Sequence, residues 1–185
     1  MKLEAYNPFV CSCADHDDGV STPDIVTAPY VSIAVFATLP GTSMSTNEEI
    51  IRELYAVAEG ASLDLERFAA LFAEDGYFLD MSSGQKWTGA EVRQPLEGLA
   101  STFPDFHREL LKVYSAGDDV IVVELRLQGT HAGDFPIPGG VLRATGKRFD
   151  VPCCDVFVME GGKVKAFHCY NMRSVWLEQL GAGNG

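Results

Sequence analysis

One acid stands where chemistry can use it. The run Val151-Pro-Cys-Cys-Asp155-Val-Phe-Val-Met159 sets a single carboxylate inside otherwise apolar sequence. A strand of this composition is buried on at least one face. A carboxylate taken out of water there needs a partner, or it holds its proton to a higher pH. A carboxyl whose pKa is raised toward neutrality can both take and give a proton, which is what enolisation beside a carbonyl requires.

The following residues suggest a partner. Glu160-Gly161-Gly162-Lys163 reads as a hairpin turn, because two glycines supply the positive φ values of a two-residue loop. Regular pairing from that loop sets Met159 against Val164 and Asp155 against His168, with Val151, Cys153 and Phe157 on the same face as Ala166, Tyr170 and Met172. A loop one residue longer would undo the pair, since a slip of one turns every side chain over. In this register His168 either orients Asp155 or, as a cation, depresses its pKa; the bland alternative is a core histidine. Tyr170 is placed to donate to a developing oxyanion. Cys153 shares the face, yet no Gly-rich elbow or cysteine-hydrolase signature surrounds it. Phe157 and Met159 read as wall.

The elements that would position these groups follow from periodicity. Thr46-x-x-Glu49 is a capping box opening a helix through Ile50, Ile51, Leu54, Tyr55 and Ala58, which Gly60 ends. A second helix runs through Leu65, Phe68 and Phe72. Tyr77–Met81 reads as a strand. Thr88-x-x-Glu91 opens a third helix reaching Phe103, which Pro95 should kink or split. Long strands are expected at Phe106–Ser115 and Val120–His131, then a loop from Ala132 to Thr145, the hairpin described above, and a closing helix through Val175, Trp176 and Leu180. Helices first and a strand meander afterwards make an α+β plan, with helices covering one face of a curved antiparallel sheet.

Composition narrows the function. The chain has 185 residues, 46% hydrophobic and 22% charged, as expected of a globular protein with a substantial core. Its net charge of −12 and lack of a Lys/Arg cluster speak against nucleic acid and anionic membranes. No stretch reaches the roughly 20 apolar residues of a membrane span. Five cysteines, with Cys153 and Cys154 adjacent, read as small buried hydrophobes in a reducing, cytoplasmic compartment. Cys11-x-Cys13 with nearby His16 lacks the second half of a ligand set, so no metal is expected. Residues 1–45 read as a poorly ordered extension with a short strand near Val31–Ala37. Met44 resembles a natural start of translation. Residues 182–185 are a tail.

Four ordered stretches carry a resemblance: Phe72-Ala-Glu-Asp-Gly-Tyr-Phe-Leu-Asp80, Phe103-Pro-Asp-Phe106, Gly129-Thr-His-Ala-Gly133 and Asp155-Val-Phe-Val-Met-Glu-Gly-Gly-Lys-Val164, with Gln179-Leu-Gly181 after them. Over residues 46–181 the chain resembles the SnoaL-like polyketide cyclases of the nuclear-transport-factor-2-like superfamily. The resemblance implies a cone-shaped α+β fold of the cystatin-like type, enclosing a deep apolar pocket, and a homodimer packed through the sheet. It implies no metal or organic cofactor, and an aspartate acting as general acid/base in ring closure. That aspartate matches Asp155, with His131 of the Gly-Thr-His stretch as a second polar group. Tyr77, Asp80 and Trp87 are candidate pocket-lining residues. Where many relatives carry an Asp after the last strand, this chain has Asn171 and Met172. The expected function is proton transfer on an apolar carbonyl compound, of cyclase, isomerase or dehydratase type. The alternatives are a non-catalytic binding protein and an assembly module.

Overall fold

A computed structural model describes residues 46–137 and 139–182, all within one compact unit. The expected N-terminal extension, its strand near Val31–Ala37, the start at Met44 and the Cys11/Cys13/His16 group lie outside the described residues. So does the Thr46 side chain of the first capping box.

Helix α1 (Thr46–Val57) presents Ile51, Leu54 and Tyr55, continued by Ala58 just after it, as one buried stripe. Helix α2 (Leu65–Ala70) is capped by Asp64, whose side chain accepts from the Arg67 amide at 2.9 Å. The expected third helix is split near Pro95 into a 3₁₀ turn (Gly89–Arg93) and α3 (Gln94–Thr102). Thr88 precedes the 3₁₀ turn but makes no side-chain cap bond, so the second capping box does not form. Helix α4 (Arg173–Leu180) ends at Gly181, whose φ of 89° supplies the left-handed cap.

The sheet has six strands: β1 (Phe72–Asp80), β2 (Gln85–Thr88), β3 (His107–Ala116), β4 (Val120–Thr130), β7 (Arg148–Glu160) and β8 (Lys163–Asn171), in the order β2-β1-β8-β7-β4-β3. A separate hairpin, β5 (Phe135–Ile137) with β6 (Gly140–Leu142), occupies the stretch expected to be loop. The sheet is antiparallel save for one pairing: β1 runs parallel to β8. The helices bury its inner face. Along β7 the strand alternates strictly, with Phe149, Val151, Cys153, Asp155, Phe157 and Met159 buried.

The β7–β8 turn is the one read from the sequence. Gly161 and Gly162 have φ of 56° and 73°, Glu160 pairs with Lys163 and Met159 with Val164. The register then shifts. Val158 pairs with Ala166, leaving Lys165 as an extra residue, so Asp155 stands opposite Cys169 and not His168. The shift turns Phe167 and Cys169 inward and His168 and Tyr170 outward. It gains a buried phenyl ring, worth about 2–3 kcal/mol, where an imidazole would otherwise enter the core. Lys165 turns to Asp75 and Glu160, an exposed ion pair on each side.

A second irregularity faces this one. β1 pairs through Phe72 with Val164 and next through Tyr77 with Ala166, so β1 bulges where β8 does. Gly76 sits at that point; a Cβ there would lie 2.6 Å from the Val164 carbonyl oxygen and 2.9 Å from that of Ala73. Both obstacles are backbone and cannot swing aside. Gly76→Ala is therefore expected to destabilise the fold by about 2 kcal/mol, read as a lowered midpoint in urea unfolding with an unchanged slope.

Candidate functional site

The inner face of the sheet and α3 enclose a cavity of about 680 Å³, within the usual size of small-molecule sites. Its walls are apolar and aromatic: Phe78, Trp87, Leu99, Phe103, Leu125 and Trp176. Phe78 and Trp87 stack at 5.4 Å between ring centroids, and Phe103 packs on Trp176 at 5.2 Å.

Asp155 lines this cavity and is only 2% exposed. The strand alternation that buries its neighbours forces it inward. Its Oδ2 accepts a hydrogen bond from the Tyr55 hydroxyl of α1 at 2.7 Å. Oδ1 has no hydrogen-bond partner among the described residues; the Cys169 thiol, opposite on β8, is a weak donor beside the same carboxyl. Burial pushes the Asp155 pKa up to about 6, against the downward pull of the Tyr55 hydroxyl, the Cys169 thiol and the Arg108 guanidinium. The acid is thus poised where it exists in both protonation states near neutrality. Burial also drives the Tyr55 pKa well upward, and the neighbouring carboxylate adds to it, so the phenol stays protonated as the donor.

The same environment settles the thiols. Burial, reinforced by the Asp155 charge, raises Cys153 to about 12 and Cys169 well above the ordinary thiol range. Neither is a thiolate near neutral pH, which removes the nucleophile reading of Cys153, although that residue does line the cavity.

Of the other residues singled out from the sequence, Asp80 and Trp87 line the cavity. Asp80 is held in place by the turn after β1. Its Oδ1 accepts from the Ser82 amide, the Ser82 hydroxyl and Asn171, and its Oδ2 from Ser83. Asn171 therefore reaches the cavity and anchors another carboxylate.

Five expected positions lie elsewhere. His168 is on the outer face, where its Nε2 meets the Tyr77 hydroxyl at 2.9 Å; Tyr77 is beside it, under the Lys86 ammonium at 3.8 Å from the ring centre. Tyr170 is exposed on that same outer side. The one-residue shift at Lys165 is the reason for His168 and Tyr170, and Tyr77 follows the alternation of β1 opposite to Phe78. Phe157 is buried behind the cavity, with its ring edge-on to Tyr55 at 5.9 Å. His131 is fully buried and does not line the cavity. Its Nδ1 accepts from the Thr145 amide and meets the Thr145 hydroxyl at 3.0 Å, which fixes the loop before β7. Its ring packs on Phe103, so it supports the wall from behind.

Sequence reading missed Tyr55 and Arg108. Tyr55 looked like one more apolar residue of a helical stripe. The available signal was its phenol, which in a buried stripe must find a partner. Arg108 lies on the inward side of β3 between Phe106 and Leu110, a lone cation on an apolar face.

The comparisons with known proteins agree with this architecture. A family model for the SnoaL-like domain matches residues 51–167. The chain belongs to the SnoaL-like domain family. Among solved structures, a candidate SnoaL-like polyketide cyclase from Jannaschia sp. CCS1 is similar at 21% identity and a TM-score of 0.65, covering 78% of this chain and 100% of that one. AclR from Streptomyces galilaeus, a candidate hydroxylase, is similar at 20% identity and 0.64, covering 77% and 89%. A protein of ketosteroid isomerase-like fold from Catenulispora acidiphila DSM 44928, in complex with trimethylamine, is similar at 23% identity and 0.60, covering 72% and 92%. These likenesses show the fold. No curated protein matches the sequence. No helix among the described residues is long and apolar enough to cross a membrane.

The raised pKa has a consequence for stability. Between the ordinary value of 3.8 and about 6, folded Asp155 holds a proton that the unfolded chain releases. Stability therefore falls as pH rises through that window, by about 3 kcal/mol in total. Asp155→Asn removes this dependence, so from pH 4 to pH 7 the variant is expected to gain roughly 2.5 kcal/mol on the native chain in urea unfolding. Tyr55→Phe deletes a bond to the charged form. In that variant the carboxyl ¹³C titration of Asp155 is expected to move above 6.

Proposed function

We propose that this protein is an enzyme that moves a proton on an apolar, carbonyl-bearing small molecule held in the cavity, with Asp155 as general acid/base. The observation that carries the reading is one carboxyl, buried in the wall of an apolar cavity, held by a phenol and titrating near 6. Above that pH it is a base strong enough to take an acidic C–H proton beside a ketone; once protonated it returns the proton to oxygen or carbon. Cyclisation, isomerisation and dehydration all share that step. Tyr55 holds the carboxyl in one orientation from the helix side. Of the four buried polar atoms without partners among the described residues, three belong to cavity-lining Asp155, Asn171 and Trp176. Such groups are costly in a cavity meant to stay empty and useful in one that takes a polar ligand. The cyclase assignment of relatives in the family supports the same class. We further propose a homodimer, packed through the outer sheet face that bears Tyr170, and a cytoplasmic location.

A non-catalytic binding protein is the second reading. What favours it is the depth of the acid: both Asp155 oxygens are nearly sealed, so a substrate must displace a neighbour to reach them.

Deuterium incorporation from D₂O into 2-tetralone separates the two. The enzyme reading expects exchange whose rate rises with pH to a plateau, with a midpoint of about 6 set by ionisation of the base. Asp155→Asn is expected to lower the plateau at least roughly 100-fold. His168→Ala, on the outer face, is expected to leave it within about twofold. Exchange that survives Asp155→Asn removes this acid as the base, and none in the native chain gives the site to binding alone.

A further inference from the structure

The charges around the cavity are not all alike. Asp80 is saturated by Ser82, Ser83 and Asn171, Asp134 is paired with Arg143, and Asp155 is held by Tyr55. Arg173 rests on Phe135 and donates to the Pro136 carbonyl. Arg108 differs. It is part-buried, on the inward side of β3 opposite Leu127, and lines the cavity with Leu125, Leu127 and Phe103 around it. Its Nη1 donates to the Ala58 carbonyl at 2.6 Å, and its guanidinium carbon lies 5.0 Å from the Phe106 ring centre. Nε and Nη2 have no acceptor among the described residues, and neither is a sealed-off atom.

The carboxylate that meets its backbone is engaged elsewhere. Glu59 Oε1 accepts from the Arg108 backbone amide and Oε2 from His107. In a chain with 26 acids against 14 Lys and Arg, a guanidinium without a carboxylate partner is informative. Its free Nε–Nη2 edge is the bidentate side that matches a carboxylate. The anchor at Ala58 and the Phe106 ring keep that edge fixed, so little freedom is lost when an anion docks.

We propose that Arg108 is the specificity determinant of this cavity and that the molecule it takes is an apolar carboxylate, its acid on Arg108 and its reacting end toward Asp155. This rests on the proposed proton-transfer reading for the second half only. The two anchors are separated along the sheet: Arg108 stands opposite Leu127 and Asp155 opposite Val123, four residues apart on β4 or roughly 13 Å of strand. We take a fused two-ring skeleton as the size of molecule that would reach from one anchor toward the other. The aromatic walls between the anchors would hold such a skeleton.

Calorimetric titration with 2-naphthoate, its methyl ester and 2-naphthylmethylammonium tests it on the native chain. Naphthoate is expected to bind at least tenfold more tightly than the ester, and the ammonium most weakly. Arg108→Gln is expected to bring naphthoate down to the ester's affinity while leaving the ester unchanged, and Arg108→Lys to restore part of the preference. The ester's retained affinity certifies that the variant cavity is intact. Asp155→Asn is expected to keep the preference. Equal binding of acid and ester, a preference that survives Arg108→Gln, or no binding of any probe overturns the proposal. An Arg108-dependent preference in a chain without deuterium exchange defeats only the enzyme reading, whereas exchange without the preference defeats only this one.

Discussion

The rest of the site depends on the cost of burying one carboxylate. Asp155 is placed inward by the same alternation that sends Val151, Cys153 and Phe157 inward, and β7 cannot release it without releasing them. An ionised, unpaired acid at that depth would undo much of a domain's marginal stability. The structure supplies one strong donor, Tyr55, one weak donor in Cys169, and a cation at longer range in Arg108. That is too little to restore the ordinary pKa and enough to prevent a large upward displacement. An acid stabilised further would be a salt bridge and a poor base. One stabilised less would stay protonated at neutral pH.

What the cavity requires of the surrounding chain is space that does not collapse. The bulges in β1 and β8 coincide, and between them they bend the sheet where Phe167 and Phe78 meet at 4.4 Å. At the other end Phe103 joins His131, Phe135, Phe149 and Trp176 in a continuous aromatic cluster of tilted and edge-on rings. Rigid rings at both ends hold the walls apart, and Gly133, packed against the Ser101 carbonyl, lets the β4–β5 connection pass close under α3. His131 serves here. A histidine with one nitrogen committed to Thr145 and its ring on Phe103 is part of the scaffold that backs this wall.

Much of this was legible in the sequence, with a definite boundary. The buried acid, the two-glycine turn, the helix stripe of α1 and the split near Pro95 follow from local rules, and local rules hold where a single element decides. The register beyond the turn does not follow from the turn. It was decided by Val164 and Phe167, two inward-facing residues three apart, which an alternating strand can set on one face only by inserting an extra residue. That odd spacing was the visible sign that His168 would face out. The parallel pairing of β1 with β8 joins segments about ninety residues apart and leaves no local trace. The Tyr55–Asp155 bond likewise spans α1 and β7, so each partner was visible in its own periodicity while the contact was not.

The two faces of the sheet show why the misread register matters to chemistry. Tyr77, Lys86, His168 and Tyr170 gather on the outside, a polar and aromatic group open to solvent. On the inside, the positions that a histidine and a tyrosine would have taken are held by Cys169 and Asn171, smaller side chains without a charge. Had an imidazolium stood against Asp155, its charge would have pulled the acid toward the ordinary carboxylate range and filled space next to it. With a protonated thiol there instead, burial dominates, the acid keeps its raised pKa, and no imidazole ring fills the space beside it. The extra residue at Lys165 therefore does more than bend a strand: it selects which chemistry the carboxyl can perform.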